Sequence, residues 1–373
     1  MVDYVFERHL SGGILLPANK TTSTSAPIHR GFVPSQLVLA MQQHRGSAAE
    51  PAVRIGERVR KGQCVATPSP GPSAAVHAST SGWVRAIEER PVLAGAGVQP
   101  SLCIVVETDG RDERVSPETA PAWPVDRALQ LAAIRAAGIV GLGGAVYPTA
   151  DKLATPVACK TLIVNGAECE PYISCDDMLM RENAADIVAG ALLMANVLAA
   201  PLCIIAIERD KPRAIEAIEG AAKELDDSRL KLAEVPTIYP AGGERQLVEL
   251  LTGEEVPSGR YPSEFGYVCQ NVGTAVEVRL DPNEWPCIRC GDCAMVCPSR
   301  LLPQELLVAA RGDDLTALKT LGLQDCIECG CCDVICPSHI ALTEQFRAGK
   351  RAVASNERKG GGEPARAGKP RAA

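Results

Sequence analysis

Two copies of one cysteine pattern, C-x2-C-x2-C-x3-C-P, constrain this chain more than any other feature. The first copy runs from Cys287 to Pro298 and the second from Cys326 to Pro337. Three thiolates at this spacing can hold three corners of a cubane, so the pattern predicts [4Fe–4S] clusters. A zinc site needs four ligands, usually as two separated pairs, and would not call for eight in two matching copies. Disulfides are disfavoured because nothing marks the chain as secreted.

The fourth cysteine of each copy is predicted to ligate the other cluster, as it does in two-cluster ferredoxins. The cluster-1 cysteines are then Cys287, Cys290, Cys293 and Cys336. The cluster-2 cysteines are Cys297, Cys326, Cys329 and Cys332. Cys331 is out of register with the pattern, and we interpret it as a spare thiol rather than a ligand.

The composition bounds the class of protein. The 373 residues leave room for two or three domains, and an apolar content of 46% is ample for packed cores. The net charge is −7; the last 27 residues, from Arg347, carry eight Lys or Arg and two Glu, or +6, which leaves −13 for the rest. An acidic body argues against nucleic acid as a partner. Residues 347–373 are rich in Gly, Ala, Lys and Arg, and are predicted to form a basic disordered tail.

Two stretches bear on targeting and on the membrane. The N-terminus, MVDYVFERHL, lacks the apolar core of a signal peptide, which together with reduced cysteines favours a cytoplasmic protein. Residues 187–207 are uncharged over 21 positions, long enough to span a bilayer. Asn196 and Pro201 interrupt this stretch. A helix that ends before Pro201, followed by a buried strand, is therefore favoured over a transmembrane helix.

Residues 1–115 are predicted to be a β-rich barrel-sandwich module. Short alternating segments with glycine turns, such as residues 53–63 and 75–84, are typical of a small barrel or sandwich. The pattern resembles a lipoyl-like module, although no lysine sits in an obvious exposed carrier turn. His44 and His77 are interpreted as structural or surface residues rather than as ligands.

Residues 120–280 alternate between helical and extended patterns. Helices are predicted at residues 125–137, 178–199 and 212–225, and strands at residues 161–164, 202–207 and 232–238. This alternation predicts a mainly parallel sheet covered by helices, a Rossmann-like α/β domain. In such sheets, ligands bind at the carboxyl ends of the strands.

Polar loops lie at several of these strand ends. The segment GIVGLGGAVYPT at residues 138–149 lets backbone N–H groups approach an anion, and Lys152 follows it; a bare tight turn is the alternative. The segment NGAECEPY at residues 165–172 places an amide and two acids where they can grip ribityl or ribose hydroxyls, or form only a solvated turn. Further polar loops at residues 242–244 and 270–274 suggest one shared cleft.

These motifs, in this order and with both cysteine patterns, resemble the RnfC subunit of the Rnf electron-transport complex over about residues 5–348. The middle domain also resembles the NADH-binding flavoprotein subunit of respiratory complex I. The resemblance implies a peripheral subunit on the cytoplasmic face of the inner membrane. Such a protein exchanges electrons between NADH and a flavin, FMN, and passes them through its clusters to membrane partners that couple the transfer to ion translocation. The predicted ferredoxin-like, α-helical two-cluster domain is residues 281–346.

The resemblance also implies which residues contact the cofactor. The flavin-phosphate loop corresponds to Gly141, Gly143, Gly144 and Lys152, and Tyr147 replaces the family's usual Phe and can still stack on a ring. The polar strand end beside the flavin corresponds to Asn165, Glu168 and Glu170. The nucleotide-side loop corresponds to Gly243 and Glu244, and the last flavin loop to Asn271 and Thr274.

The sequence departs from the family at two places. Val146 stands where the family has Gly, so a Cβ enters the loop and can crowd the flavin or the nicotinamide. Val278 leads almost directly to Cys287, whereas family members carry a domain-sized β-grasp segment there. The chain is therefore interpreted as a short form.

A chain with both sites would join two-electron hydride chemistry to one-electron transfer. Two alternatives stay open at this point. One is an iron–sulfur electron carrier or docking module without nucleotide chemistry. The other is a flavoprotein without membrane partners.

Overall fold

The computed structural model describes residues 3–4, 12–28, 33–94, 97–115, 124, 126–279, 292–311, 314–332, 340 and 342–360. Two compact units are present. The described residues up to Arg279 form the first unit, and those from Asp292 onward form the second.

The chain begins in the sheet of the α/β domain, not in the barrel. Strand β1 (Asp3–Tyr4) pairs in parallel with residues 231–232. The N-terminal arm, residues 12–28, also contacts that domain: Ile14 forms an antiparallel bridge with Tyr239, and the Tyr172 N–H donates to the Ala18 carbonyl at 2.9 Å. Strand β1 and the arm, which precede the strands of the barrel module in the chain, thus form backbone hydrogen bonds with the α/β domain.

The barrel-sandwich module consists of two small antiparallel sheets. One has the order β2–β8–β7–β4, with β2 (Gln36–Ala40), β4 (Arg58–Val59), β7 (Gly82–Ala94) and β8 (Gly97–Thr108). The other has the order β3–β5–β6, with β3 (Glu50–Pro51), β5 (Cys64–Thr67) and β6 (Val76–His77). Fully buried Val59, Val65, Val84 and Ile104 fill the core, which confirms the predicted architecture.

His44 belongs to the framework of this module. It is 5% exposed, and its Nε2 accepts the Ala74 backbone N–H at 3.1 Å. The structural interpretation of His44 is confirmed.

The α/β domain has a parallel sheet in the order β1–β11–β10–β9–β12. Its further strands are β9 (Thr161–Gly166), β10 (Cys203–Glu208), β11 (Leu230–Val235) and β12 (Tyr267–Asn271). Its helices are α1 (Arg127–Ala136), α2 (Thr149–Leu153), α3 (Cys175–Glu182), α4 (Ala184–Leu198), α5 (Pro212–Leu225), α6 (Glu244–Thr252) and α7 (Val272–Arg279), with a 3₁₀ turn at Pro262–Phe265. All six residues of β10 are buried, as expected for a central parallel strand.

Two details differ from the predicted elements or refine them. The helix predicted at residues 178–199 is two helices, because Asn183 leaves helical geometry with φ −129° between α3 and α4. Helix α4 ends at Leu198, where Ala199 adopts φ +49°, and β10 begins at Cys203, as the uncharged stretch predicted. Within the described part of the chain, no helix is both long and apolar enough to cross a bilayer.

The barrel module packs against the start of the Gly-rich loop. Gly138 has φ +73°, and a Cβ at this position would collide with the Ala75 carbonyl oxygen. Arg135 in α1 donates from Nη2 to the Ser69 carbonyl at 2.8 Å. Gly138 is therefore required by a close backbone approach as well as by its backbone conformation.

The second unit is helical. Its elements are α8 (Asp292–Met295), α9 (Pro303–Arg311), α10 (Leu315–Thr320), a 3₁₀ turn at Leu323–Asp325, and α11 (Leu342–Gly360). Leu306, Leu318, Leu323, Phe346 and Val353 are at most 1% exposed and form its core. The helical two-cluster domain predicted here is consistent with this architecture.

Helix α11 corrects the predicted disordered tail. Residues 347–360 are helical, and Val353 packs in the core. The apolar positions Phe346, Gly349 and Val353 recur at the spacing of one helix face, which composition alone concealed. The rest of the predicted tail, residues 361–373, lies outside the described residues.

Candidate functional site

The strand order of the α/β sheet reverses between β9 and β12. Along the chain, β10 and β11 are added on one side of β9, and β12 then returns to the other side. Ligands of open α/β sheets bind outside the carboxyl ends of the strands at such a switch point. Asn165 and Asn271, both predicted site residues, are register partners at this end of β9 and β12.

The Gly-rich loop lies against this switch point. Two backbone hydrogen bonds close its base: the Gly141 N–H donates to Tyr147 O at 2.9 Å, and the Val146 N–H donates to Gly141 O at 3.1 Å. The Leu142 N–H donates to the Thr274 hydroxyl at 3.0 Å, and a Cβ on Gly143 would lie 3.3 Å from the Asn271 Cβ.

The outer side of this loop is open. Gly143 and Gly144 are exposed, and a Cβ on Gly144, which has φ +86°, would meet nothing within 4 Å. The loop therefore forms a cradle of exposed backbone whose donors suit an anion such as a flavin phosphate. Helix α2, which follows it, has only five residues, so its dipole adds less than the sequence suggested.

A cavity of about 430 Å³ opens beside the loop. Tyr147, Lys152 and Glu244, all predicted site residues, line it, and the Lys152 Nζ lies 2.5 Å from a Glu244 carboxylate oxygen. Gly243 is the N-cap of α6, the helix that begins at Glu244. The sequence missed Arg45 and Tyr261, which also line the cavity, because neither belongs to any of the motifs.

Asn165 and Asn271 use their side chains within the protein. Asn165 Nδ2 donates to Gly242 O at 2.8 Å, and its Oδ1 accepts the Ala167 N–H at 2.9 Å. Asn271 Oδ1 accepts the Gly273 N–H at 2.7 Å. These amides hold the polar loops against one another, and so position the cleft even where they do not contact a ligand.

Glu168 caps the start of α3. Its Oε1 accepts the Asp176 N–H at 2.9 Å and the Cys175 thiol at 3.2 Å, and the carboxylate is almost fully buried. Lys20 of the N-terminal arm donates to the Glu168 carbonyl and lies 3.9 Å from its carboxylate. Glu170, the second predicted acid, is exposed. A hydroxyl-binding role for either acid stays a prediction.

Sequence reasoning missed Asp176, although it lies only four residues after the end of the predicted polar loop at Tyr172. Its Oδ2 accepts a hydrogen bond from Asn271 Nδ2 at 2.6 Å. Burial raises the pKa of the Asp176 carboxyl to about 6, and the nearby Glu168 charge adds to that rise. This group titrates close to neutral pH at the switch point.

A buried ion pair at the end of β10 was also missed. Lys211 and Glu208 are 1% and 0% exposed and are in direct contact, and Lys211 Nζ also lies 3.0 Å from Asp210. No local pattern predicts this burial, because lysine and glutamate are rarely buried unless paired.

The cluster-2 cysteines line one cavity in the second unit. Cys297, from the first copy of the pattern, meets Cys326, Cys329 and Cys332 from the second. The Leu301 N–H points at the Cys297 sulfur at 3.4 Å, the kind of backbone donor that supports cluster thiolates. These residues fit a [4Fe–4S] cluster, and their convergence supports the predicted exchange of the fourth ligand.

Cys331 lines the same cavity, and its thiol is hydrogen-bonded to Cys329. The interpretation of Cys331 as a spare thiol therefore rests on the spacing alone.

One of the cluster-1 cysteines lies in the described part of the chain. Cys293 is 7% exposed, packs in the helical core and contacts Gln304 Oε1 at 3.5 Å. Cys287, Cys290 and Cys336 lie outside the described residues. The ligand set of cluster 1 stays a prediction.

Three family models match successive parts of the chain. Residues 8–111 match the RnfC barrel sandwich hybrid domain, residues 134–280 the Nuo51 FMN-binding domain, and residues 286–340 the 4Fe-4S dicluster domain. These matches support FMN and [4Fe–4S] clusters as the cofactors of the two kinds of site described above.

Relatives named as the C subunit of the ion-translocating oxidoreductase complex match most of the chain. The Pseudomonas aeruginosa protein is 39% identical over 93% of this chain and 56% of its own length. The Edwardsiella ictaluri protein is 36% identical over 92% of this chain and 54% of its own length. A Yersinia pestis protein is 42% identical over 72% of this chain and 43% of its own length. The chain thus spans about half the length of these relatives.

The Pseudomonas alignment also bears on the short form. It extends over 437 positions, whereas 93% of 373 residues is about 347, so about 90 positions of alignment have no counterpart in this chain. A difference of this size is consistent with the loss of a domain-sized segment.

Among solved structures, a chain of NAD+-reducing [NiFe]-hydrogenase in the H2-reduced state matches at 28% sequence identity. The match covers 44% of this chain and 33% of the hydrogenase chain. Its TM-score of 0.37 is too low to establish a shared fold. The order of the three domains and the identity to the curated relatives are more informative. On these grounds, the chain belongs to the RnfC family, the C subunits of ion-translocating oxidoreductase complexes.

Proposed function

We propose that this chain is a peripheral electron-transfer subunit of a membrane-bound Rnf-type complex. It would exchange electrons between NADH, through FMN, and two [4Fe–4S] clusters, and partner subunits would couple that transfer to ion translocation. The observation that carries the proposal is the convergence of the Gly-rich loop with the ends of β9 and β12 at the switch point, beside the 430 Å³ cavity.

The residues of the cleft have distinct parts in this proposal. The backbone of Gly141, Gly143 and Gly144 would hold the flavin phosphate, and Tyr147 would stack on a ring. Lys152 would exchange its contact with Glu244 for an anionic group of the ligand, since the two side chains share the cavity wall. FMN, when bound, supplies the conversion between a hydride and two single electrons.

The cluster domain supplies the one-electron side. The cluster-2 cysteines already converge on one cavity, and the cluster-1 set is proposed from the matching spacing. We also retain the domain division at about residues 120 and 281, with the barrel module beginning after the N-terminal arm.

Location and partners follow from the family and are proposed on that basis. The relatives are C subunits of an ion-translocating complex, so we expect this chain to dock on membrane subunits at the cytoplasmic face. Co-purification of the chain with membrane subunits after mild solubilisation would support this placement. Recovery of the chain alone, in the membrane-free fraction, would contradict it.

The direct test is anaerobic purification with flavin, iron and sulfide counted together. We expect about one FMN and, for two cubanes, about eight iron and eight sulfide per chain. Gly143→Val should lose FMN and reduction by NADH but keep its iron, because the added side chain meets Asn271 and fills the cradle.

Gly97→Val is the matched control. Gly97 lies at the tip of the β7–β8 hairpin, where a Cβ would meet nothing within 4 Å. Equal FMN content in the Gly143 and Gly97 variants would contradict the placement of the flavin.

One observation favours the alternative of an iron–sulfur carrier without nucleotide chemistry. Val146 has φ +43°, a left-handed backbone conformation that β-branched residues rarely adopt, at the position where the resemblance to the family implies Gly. If its side chain excludes the flavin, wild-type protein will contain iron and sulfide without FMN, and Val146→Gly will restore FMN binding.

A further inference from the structure

Helix α11 reaches the loop that carries three of the cluster-2 cysteines. Lys350 Nζ donates to the carbonyl of the ligand Cys326 at 2.6 Å and lies 3.0 Å from Glu328 Oε1. Arg347, one turn earlier, donates from Nε to Glu328 Oε2 at 2.9 Å. Two cations of one helix thus hold a carboxylate of the loop, and one of them also holds the backbone of a ligand.

The helix is rigidly placed for this contact. Phe346 and Val353 are each 1% exposed in the core of the unit, and a Cβ on Gly349 would lie 3.0 Å from Leu323 Cδ2. Lys350 directly follows Gly349, so the close packing of the helix fixes the point at which the lysine side chain leaves the backbone. Its side chain is 22% exposed, against 50% for Arg347. The lysine charge is therefore less screened by solvent.

The loop needs such a restraint. Glu328 has φ +57° and Gly330 has φ +75°, so the backbone turns through the left-handed region twice between Cys326 and Cys332. Glycine adopts this region readily, whereas glutamate incurs a steric penalty there. The contacts of the Glu328 carboxylate with Lys350 and Arg347 hold the residue in this conformation.

We propose that Lys350 is a positioning residue for cluster 2 that also raises the cluster's reduction potential. Reduction adds one electron to a cluster already carrying the negative charge of four thiolates. An ammonium group bonded to the carbonyl of a ligand stabilises the reduced form more than the oxidised form. The inference rests on the proposed ligand set, and its chemistry is independent of the flavin site.

The experiment compares Lys350→Met, Lys350→Arg and Arg347→Gln in the full chain, prepared anaerobically. Each is titrated with dithionite at controlled potential and followed by EPR, and iron is counted. The signal that Cys332→Ala removes is assigned to cluster 2. If Cys332→Ala removes no signal, or if wild-type protein holds far fewer than about eight iron atoms, the ligand assignment fails rather than the role of Lys350.

Lys350→Met should lower the midpoint potential of cluster 2 and leave cluster 1 unchanged, and Lys350→Arg should restore it. A tenfold weaker reduction corresponds to a shift of about 59 mV for one electron. Arg347→Gln should shift the potential less, because it removes one charge from the same carboxylate without touching the ligand backbone.

Selective loss of the cluster-2 signal in Lys350→Met, with retention in Lys350→Arg, also supports the positioning role. Unchanged potentials in Lys350→Met overturn the proposal. Equal decreases of the cluster-2 potential, or equal losses of the cluster-2 signal, in Lys350→Met and Arg347→Gln overturn it as well. Such a result would show that either positive charge of the helix has the same effect, and that the contact of Lys350 with the ligand carbonyl is not special.

Discussion

Neutralising Asp176 should stabilise the α/β domain at neutral pH. Burial raises the pKa of this carboxyl from 3.8 to about 6, so the folded state disfavours the charged form. A difference of about 2 pKa units corresponds to about 3 kcal/mol of lost stability once the group is ionised in both states. Asp176→Asn keeps an oxygen that can accept from Asn271 Nδ2 and removes this penalty.

The pH dependence gives the prediction its direction. A raised pKa means that the folded state binds the proton more tightly, so the penalty is absent below about pH 3.8 and complete above about pH 6. The stability advantage of Asp176→Asn should be about 3 kcal/mol at pH 7.5 and fall to about half of that near pH 5.

The assay is urea unfolding of wild type and variant at pH 5.5, 6.5 and 7.5, followed by circular dichroism at 222 nm. Because both proteins carry the same other domains, the difference between their midpoints reports on this one group. Asp177→Asn is the matched control: Asp177 is 3% exposed and holds Arg181 through two contacts of 2.8 and 2.5 Å, so the control should destabilise the domain. The reasoning is refuted if Asp176→Asn is no more stable than wild type at pH 7.5, or if the stability difference between the two proteins increases as the pH falls.

Two further predictions concern the cluster domain and the glycine at the barrel contact. Cys297→Ala should remove the cluster bound by the second cysteine copy and leave the other cluster in place, so the iron content should fall by about four atoms per chain. Iron analysis with EPR that shows loss of only the cluster at Cys293 would contradict the exchanged ligand. Gly138→Ala should lower stability by about 2–4 kcal/mol in thermal unfolding, because a left-handed backbone and a collision with the Ala75 carbonyl add together. Gly144→Ala, left-handed but in open space, should cost only about 1–2 kcal/mol, and equal losses in the two variants would show that the collision is relieved.

The features predicted from the sequence are those encoded locally. The cysteine spacing predicted that Cys297 would join the second copy, and the cavity brings these residues together. Strand β10 was recognised because Pro201 and a short apolar run mark its start. In both cases the determining residues lie within a few positions of one another.

What the sequence could not predict depends on contacts between distant segments. Asp176 and Lys211 have ordinary sequence neighbours, and only the packing of other elements around them makes Asp176 half-buried and Lys211 buried. The role of α11 was missed because its apolar positions are few and its composition is that of a solvated tail. The pairing of β1 was missed because two residues carry no periodicity and their partner strand is far along the chain.

That pairing has a consequence for how the chain folds as it is synthesised. Tyr4 is synthesised well before its partner Leu232, which follows 228 residues later. At synthesis rates of about 5–20 residues per second, β1 waits roughly 10–45 s for its neighbour. The barrel module, whose strands all lie before residue 109, can form during this interval. Strand β1 is therefore paired long after it is made, and its exposed edge must be kept from other chains until β11 emerges.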